Sequence, residues 1–302
     1  MMQAIETYLA MRRAMGFELL NAGYLLRSFA RFAAARRETH VRIATVIDWA
    51  SLTATVAQRD ERLKTVCRFV RYMRAEDEGH ELPPANHFGY RKTRRVPHIY
   101  SNAEVRLLMR AALQLKPAES LQPHVYATLI GLLAATGLRI SEALTLQFSD
   151  ITADGLLIRK TKFQKTRLVP LHDTAKLAID RYLLRRREIR SNRTHVFIRD
   201  DGRPLRYRDV QAIFLKLLKI SDLKLPTGRR PRLHELRHTF AVRALEGSPP
   251  GRQRIGQHML ALATYMGHAN IYATYWYLET TPELLRDIAT TVEAFYYGGP
   301  RL

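Results

Sequence analysis

The sequence predicts a mainly α protein with a small antiparallel β-sheet, arranged as two domains. Three observations carry this. Apolar residues recur at three- and four-residue spacing over most of the chain, as helices with one buried face require. β-like runs are short and cluster around residues 155–170. A stretch rich in proline and glycine, Gly79 to Pro97, interrupts the helical pattern. At 302 residues the chain is long enough for two hydrophobic cores.

The first domain, about residues 1–85, reads as four helices. Ile5, Tyr8, Leu9 and Met11 start the first, and Gly16 closes it. Tyr24 to Arg37 carries Leu25, Phe29 and Phe32 on one stripe. Ile43 to Leu52 is a short third helix. Gln58 to Glu78 is the fourth, with Leu63, Val66, Phe69, Val70 and Met73 spaced for burial. Its Arg59, Arg62, Lys64, Arg68, Arg71 and Arg74 leave a basic flank, which on a helix is as often a solvated face as a binding one. Residues 86–96 form a basic linker containing Arg91, Lys92, Arg94 and Arg95.

The second domain, about 97–302, opens on Ser101-Asn102-Ala103-Glu104, a capping-box pattern. Val125 to Thr136 is an apolar helix stopped by Gly137, and Arg139 to Leu146 is another. Gly155–Ile158 and Thr166–Pro170 flank Lys160 to Lys165 as the two arms of a hairpin. Ala175 to Arg190 is helical, Val196-Phe197-Ile198 is strand-like, and Tyr207 to Ile220 is helical. Pro226 to Pro231 is a basic loop, and the remainder to Glu293 is mostly helical.

Charge narrows the function. Lys plus Arg number 49 against 28 Asp plus Glu, a formal net charge of +21, and most of the cations are arginine. Such an excess favours a polyanion partner through counterion release, and arginine is the better fork for phosphate oxygens. Cys67 is the one cysteine, so an internal disulfide and a thiolate zinc site are excluded; its helical apolar spacing makes it a core residue. The N-terminus lacks the pattern of a secretory signal, and no stretch has the apolar length of a membrane span, so a cytoplasmic, nucleoid-associated location is the expectation.

Breaking a phosphodiester without a metal needs three kinds of group. A nucleophile attacks phosphorus, fixed cations neutralise its oxygens, and a general acid protonates the leaving alkoxide. The chain supplies candidates for each. Arg139 follows a helix-breaking glycine and so sits at a helix start. Lys162 lies near the hairpin tip, although Lys160 and Lys165 could also reach it. His234 and Arg237 are three apart on one helical face. His268 follows Gly267 at a turn, and Tyr277 comes nine residues later (277 − 268), with Tyr265, Tyr272 and Tyr275 as neighbours. His234 and His238 have the spacing of helical metal ligands, but no nearby carboxylate or thiolate completes a zinc-protease pattern.

These segments resemble the tyrosine recombinase, or phage integrase, family. Gly137-Leu138-Arg139-Ile140-Ser141-Glu142-Ala143-Leu144 is similar to its first arginine box. His234-Glu235-Leu236-Arg237-His238 matches its His-x-Leu-Arg-His box, and Met266-Gly267-His268 with Tyr277 matches its third box and nucleophile. Thr161 to Leu171 resembles the hairpin that carries its lysine, although Thr161 and Phe163 stand where the family usually has glycine. The likeness covers roughly residues 97–285, and the helical N-terminal part resembles the family's core-binding (SAM-like) domain.

The resemblance implies a site-specific recombinase acting on double-stranded DNA as a tetramer on two sites, without cofactor or metal. Arg139 and Arg237 would clamp the scissile phosphate. Tyr277 would attack it to form a 3′-phosphotyrosyl bond, with Tyr275 its nearest rival. Lys162, or else Lys165, would protonate the leaving 5′-hydroxyl. His234 would assist proton transfer and His268 would hydrogen-bond the phosphate. His238 and Glu142 are read as structural supports. Leu284, Leu285, Ile288, Val292 and Phe295 in the tail are spaced to pack on their own domain or, as in the family, on a neighbouring protomer. A type IB topoisomerase-like enzyme and a non-cleaving DNA-binding regulator of the same fold are the alternatives.

Overall fold

In the computed structural model the described residues are 1–91, 95–159, 166–189, 191–225, 228–247, 252–267 and 274. The chain divides into two compact units, Met1–Arg95 and Val96–Leu302. Its described elements are helical apart from one three-stranded antiparallel sheet and a 3₁₀ turn at Phe148–Asp150. Lys162, Lys165, His268, Tyr275, Tyr277 and the tail from Thr281 lie outside the described residues.

The first unit comprises α1 (Met2–Ala14), α2 (Leu20–Ala35), α3 (Ile43–Ser51) and α4 (Val56–Met73). Helix α4 packs on the other three because its Leu63, Val66, Phe69 and Val70 recur at three- and four-residue intervals and are fully buried. Thr55 caps it, its side chain accepting the Gln58 N–H at 3.3 Å. The Trp49 ring, 2% exposed, packs edge-on against Phe29 with centroids 5.4 Å apart. Cys67 is buried as expected, its thiol 3.5 Å from the Pro83 carbonyl.

Three details differ from the sequence reading. Met11 is 39% exposed, because α1 buries the stripe Ile5, Tyr8 and Leu9, and Met11 turns away from it. Helix α4 ends at Met73, not Glu78. No apolar residue after Met73 continues its face, and the chain tightens into turns that end where Asp77 accepts the Gly79 N–H at 2.9 Å. Part of the segment expected as a linker belongs to the unit's core. The Val41 N–H donates to the buried His80 ring at 3.0 Å, the Glu81 N–H donates to the Val41 carbonyl at 2.9 Å, and Leu82 and Phe88 pack against the helices.

The basic flank of α4 is narrower than its arginine count. Arg62 donates to the Trp49 carbonyl at 2.8 Å and lies over its ring, Arg59 donates to the Thr53 carbonyl at 2.8 Å, and Lys64 pairs with Asp60 at 2.7 Å. Arg68, Arg71 and Arg74 are exposed, three residues apart on one face.

In the second unit, α5 (Asn102–Leu113) begins at the expected capping box: Ser101 and Glu104 each accept the other's backbone N–H, at 3.1 and 2.6 Å. It packs on α6 (Gln122–Thr136), which also contacts α7 (Ile140–Thr145), α8 (Asp173–Arg187) and α10 (Glu235–Glu246). Helix α6 is therefore the centre of the unit, and its Val125, Leu129, Leu132 and Leu133 are all buried. Helix α9 (Tyr207–Ile220) covers α5.

The sheet comprises β1 (Ile151–Thr152), β2 (Gly155–Ile158) and β3 (Arg167–Val169), in that order. The β2–β3 hairpin closes with Ile158 opposite Arg167. Strand β1 is two residues long, too short to leave a periodicity in the sequence. Val196-Phe197-Ile198 is buried but forms only one isolated bridge, Ile198–Pro204, with a second just before it at Gln147–His195.

A smaller core of Ala241, Val242, Leu245, Met259, Leu262 and Met266 joins α10 to α11 (Arg252–Met266). Among the described residues no helix is long and apolar enough to cross a membrane.

Trp49→Ala is expected to destabilise the first unit by about 3–5 kcal/mol, as for other buried aromatic truncations. Urea titration followed by circular dichroism checks this: an unchanged midpoint would remove Trp49 from the role of core keystone.

Candidate active site

The C-terminus of α6, the N-termini of α7 and α10, the C-terminus of α11 and the first residue of β3 meet at one place. Gly137 makes the first junction. It caps α6 in the left-handed conformation (φ +60°), where a β-carbon would lie 2.5 Å from the Phe240 ring on α10. Only glycine permits both the turn and the approach. Two residues later Arg139 is the N-cap of α7, and the Glu142 carboxylate accepts its backbone N–H at 2.9 Å.

Glu142 does more than cap. It is 9% exposed and accepts two guanidinium groups. Arg139 donates to Oε1 at 2.8 Å; Arg167 donates to Oε1 at 3.0 Å and to Oε2 at 2.8 Å. Burial alone would raise the carboxyl's pKa and is the largest single influence. The bonds from Arg167 and from the Arg139 backbone, with the other contacts of both arginines, outweigh it together and bring the pKa down to about 2.

Arg139 also donates to the Gly267 carbonyl at 2.9 Å, across 128 residues of sequence. Arg237, 3% exposed on α10, donates to the Gly137 carbonyl at 2.5 Å and to the Met266 carbonyl at 2.6 Å. The two sequence-predicted arginines thus reach consecutive carbonyls at the C-terminus of α11, the negative end of that helix. Gly267 is left-handed (φ +64°), and a β-carbon there would lie 2.8 Å from Arg167 Nη1. Arginine side chains occupy the space that any other residue would fill.

Arg237 is held by its helix. Arg237, Ala241 and Leu245 recur every four residues, so the arginine lies on the face that packs on α11. The loop before α10 is tied down by Glu235, which accepts the Arg232 N–H at 2.7 Å, and by the Tyr100 hydroxyl, which donates to the Arg232 carbonyl at 3.1 Å. Thr239 accepts the Tyr100 N–H at 2.9 Å, and Arg243 donates to Asn102 and to the Tyr100 carbonyl.

His234 is the N-cap residue of α10, its ring edge-to-face with His238 at 4.9 Å. Part of it is open to solvent, yet the protein packed around it is the main cause of a lowered pKa. The positive charges of Arg237 and Arg139 lower it further. All three effects favour the neutral ring. Tyr265, one of the tyrosines near the third box, stacks on Phe240 with centroids 5.3 Å apart, and burial pushes its phenol up to about 12. That environment opposes phenolate formation.

Of the six residues singled out by sequence, the structure brings together Arg139, His234 and Arg237; Lys162, His268 and Tyr277 lie outside the described residues. Sequence reasoning missed Arg167. The signal was present: Arg167 and Val169 are two apart in a strand, so they share a face, and Val169 is fully buried. A charge on a strand's buried face needs a partner. Among the described residues no group of three His, Cys, Asp or Glu side chains is arranged to hold a metal ion.

The family model for the phage integrase family matches residues 100–283. A candidate integrase/recombinase of Sinorhizobium fredii, y4rB, is 33% identical over 302 residues, covering 96% of each chain. The tyrosine recombinase XerD of Oceanobacillus iheyensis is 34% identical over 203 residues, covering 66% of this chain and 63% of its own. In fold, the chain is similar to the Tn1549 transposon integrase solved with transposon right end DNA, with a TM-score of 0.65, 16% identity, and coverage of 95% and 99% of the two chains. This chain belongs to the phage integrase family, the tyrosine recombinases. Members of that family are DNA strand-exchange enzymes that use a tyrosine nucleophile.

The depressed pKa of Glu142 has a pH consequence. A carboxyl whose folded pKa lies below its ordinary 4.5 contributes stability that is present above pH 4.5 and is lost as pH falls through about 2. Glu142→Gln is therefore expected to destabilise the protein at neutral pH by about 3–5 kcal/mol, the range for breaking a buried ion pair. The gap to the unsubstituted protein should narrow steadily below pH 4.5. Denaturant titrations at several pH values measure it, and a gap independent of pH would contradict the assignment.

Proposed function

We propose that this protein is a site-specific recombinase that cleaves and rejoins duplex DNA through a 3′-phosphotyrosyl intermediate, with Tyr277 as nucleophile. The Tyr277 oxygen attacks the scissile phosphorus, and the bond from phosphorus to the 5′ oxygen breaks. Arg139 and Arg237 hold the phosphate oxygens as negative charge builds on them. Lys162 gives a proton to the departing 5′ oxygen, leaving a 5′-hydroxyl. His234, whose surroundings favour the neutral ring, is fitted to accept the tyrosine proton. His268 hydrogen-bonds the phosphate. The new ester keeps the phosphodiester's energy, so the 5′-hydroxyl of a second strand can reverse the step, and no ATP is needed.

One observation carries this reading. Arg139 and Arg237 donate to the Gly267 and Met266 carbonyls, and the next residue in sequence is His268. The fold thereby ties two boxes far apart in sequence to the start of the third. Exchange between two duplexes cuts four strands, and one tyrosine per chain makes four protomers on two sites the natural assembly. Arg68 and Arg71 on α4, with Arg74 at its C-cap, offer the first unit a row of phosphate contacts, which would position the DNA without reading its sequence.

The test is to trap and sequence covalent protein–DNA adducts across host DNA, then rebuild the recovered site as a nicked suicide duplex. A covalent adduct is expected, absent in Tyr277→Phe and about 10²–10³-fold slower to form in Arg139→Ala. Salt-sensitive binding without an adduct would point to a DNA-binding regulator. Relaxation of supercoils without exchange between sites would point to a topoisomerase-like enzyme.

A further inference from the structure

We propose that Arg167 is a positioning residue for Arg139: by saturating the Glu142 carboxylate, it keeps the Arg139 guanidinium from being neutralised and leaves its charge available to an anion. This rests on the recombinase reading of the same site.

The bond inventory leads there. A carboxylate has about four acceptor positions. Arg167 fills two, one on each oxygen, at 3.0 and 2.8 Å. The Arg139 backbone N–H fills a third at 2.9 Å, and a single Arg139 side-chain N–H fills the fourth at 2.8 Å. Arg139 therefore meets Glu142 through one nitrogen, not as the parallel fork that arginine and carboxylate otherwise prefer. Its second terminal nitrogen is turned to the Gly267 carbonyl instead.

Charge gives the same answer. Two guanidinium groups share one carboxylate, so the trio keeps one positive charge. The Arg167 side chain is 10% exposed and the Arg139 side chain 28%, so the surplus faces solvent through Arg139. Remove Arg167 and the count is one against one. Glu142 then has two open acceptor positions, Arg139 can turn into a forked pair with it, and a phosphate must compete with a buried carboxylate for the same donors. Arg167 is also locked in place from its other side, because its Nη1 lies where a β-carbon of residue 267 would be. As the first residue of β3, it further ties to Glu142 the hairpin whose connection contains Lys162.

The experiment uses the full chain and the nicked suicide duplex carrying the recovered site, with adduct formation in single turnover and DNA affinity at matched salt measured separately. Arg167→Gln is expected to slow adduct formation about 10–100-fold, less than the roughly 10²–10³-fold cost of losing a transition-state donor because Arg139 itself remains, with affinity nearly unchanged because binding is shared among many phosphates. The double variant Arg167→Gln/Glu142→Gln removes both the cation and its carboxylate, restores the single positive charge, and is expected to cleave faster than Arg167→Gln. Denaturant midpoints taken on the same variants separate this from a merely structural arginine: there the loss of rate would follow the loss of stability, whereas Arg167→Gln is expected to be slow while fully folded. If Arg167→Gln does not fold, the double variant carries the test, because it buries no lone carboxylate. A rate within about tenfold of the unsubstituted protein is then expected, and one as low as Arg139→Ala overturns the proposal. An adduct from the unsubstituted protein, with Arg167→Gln equally fast or the double variant no faster than Arg167→Gln, overturns the role of Arg167 alone. No adduct from the unsubstituted protein overturns the recombinase reading and this inference with it.

Discussion

The buried carboxylate of Glu142 is the constraint around which the second unit is arranged. An ionised carboxylate away from water is tolerable only when paired and fully hydrogen-bonded. Glu142 meets that condition by drawing on two parts of the chain: its own helix start, through the Arg139 N–H and side chain, and Arg167 at the start of β3. Each contributor is thereby fixed relative to the others. The end of α6, the six-residue helix α7 and the hairpin become one rigid corner, although α7 alone is too short to be stable.

The second organising feature is the C-terminus of α11. The last carbonyls of a helix lack intrahelical partners and carry partial negative charge. Here the Met266 and Gly267 carbonyls are met by Arg237 and Arg139, one each. The helix gains its missing donors and the arginines gain acceptors that do not cancel their charge, as a second carboxylate would. The chain that leaves this point begins with His268 and leads to Tyr277, so its starting position is set by the residues read as phosphate-binding. The left-handed Gly267 is part of the same arrangement, since arginine atoms fill the volume a side chain would need.

Charge serves two purposes in this protein, and the structure separates them. In the first unit, Arg27 forms a forked pair with Glu6 at 2.6 and 2.8 Å, Arg36 pairs with Asp48, and Arg59 and Arg62 hold backbone carbonyls. In the second, the buried Arg186 donates to the Arg193 carbonyl and lies over the Phe148 ring. These arginines act as fasteners of the fold. The exposed row of Arg68, Arg71 and Arg74 is of another kind, facing solvent on one helix face. A net charge of +21 therefore overstates the surface offered to a polyanion in kind, though not in long-range attraction.

Much of this was legible in the sequence. Helical periodicity located α1 to α4, a Ser-x-x-Glu box marked the start of α5, Gly137 marked the end of α6, and the spacing of the boxes singled out Arg139, His234 and Arg237. Such signals are local: a cap, a turn and an apolar stripe each depend on residues a few positions apart. The two-residue β1 and the loose Val196–Ile198 run escaped because their pairing depends on partners that periodicity does not reveal. Arg167 escaped as a site residue for a related reason. Its partner Glu142 lies 25 residues away, and the space beside its guanidinium is the one that a Gly267 side chain would fill, so only the folded chain brings them together. By itself the sequence determined the family and which residues are candidates for binding and cleaving a phosphodiester. Only the tertiary structure decided how those charges are balanced, because the neutralisation of a buried cation depends on the distance and number of its acceptors, not on its place in the chain.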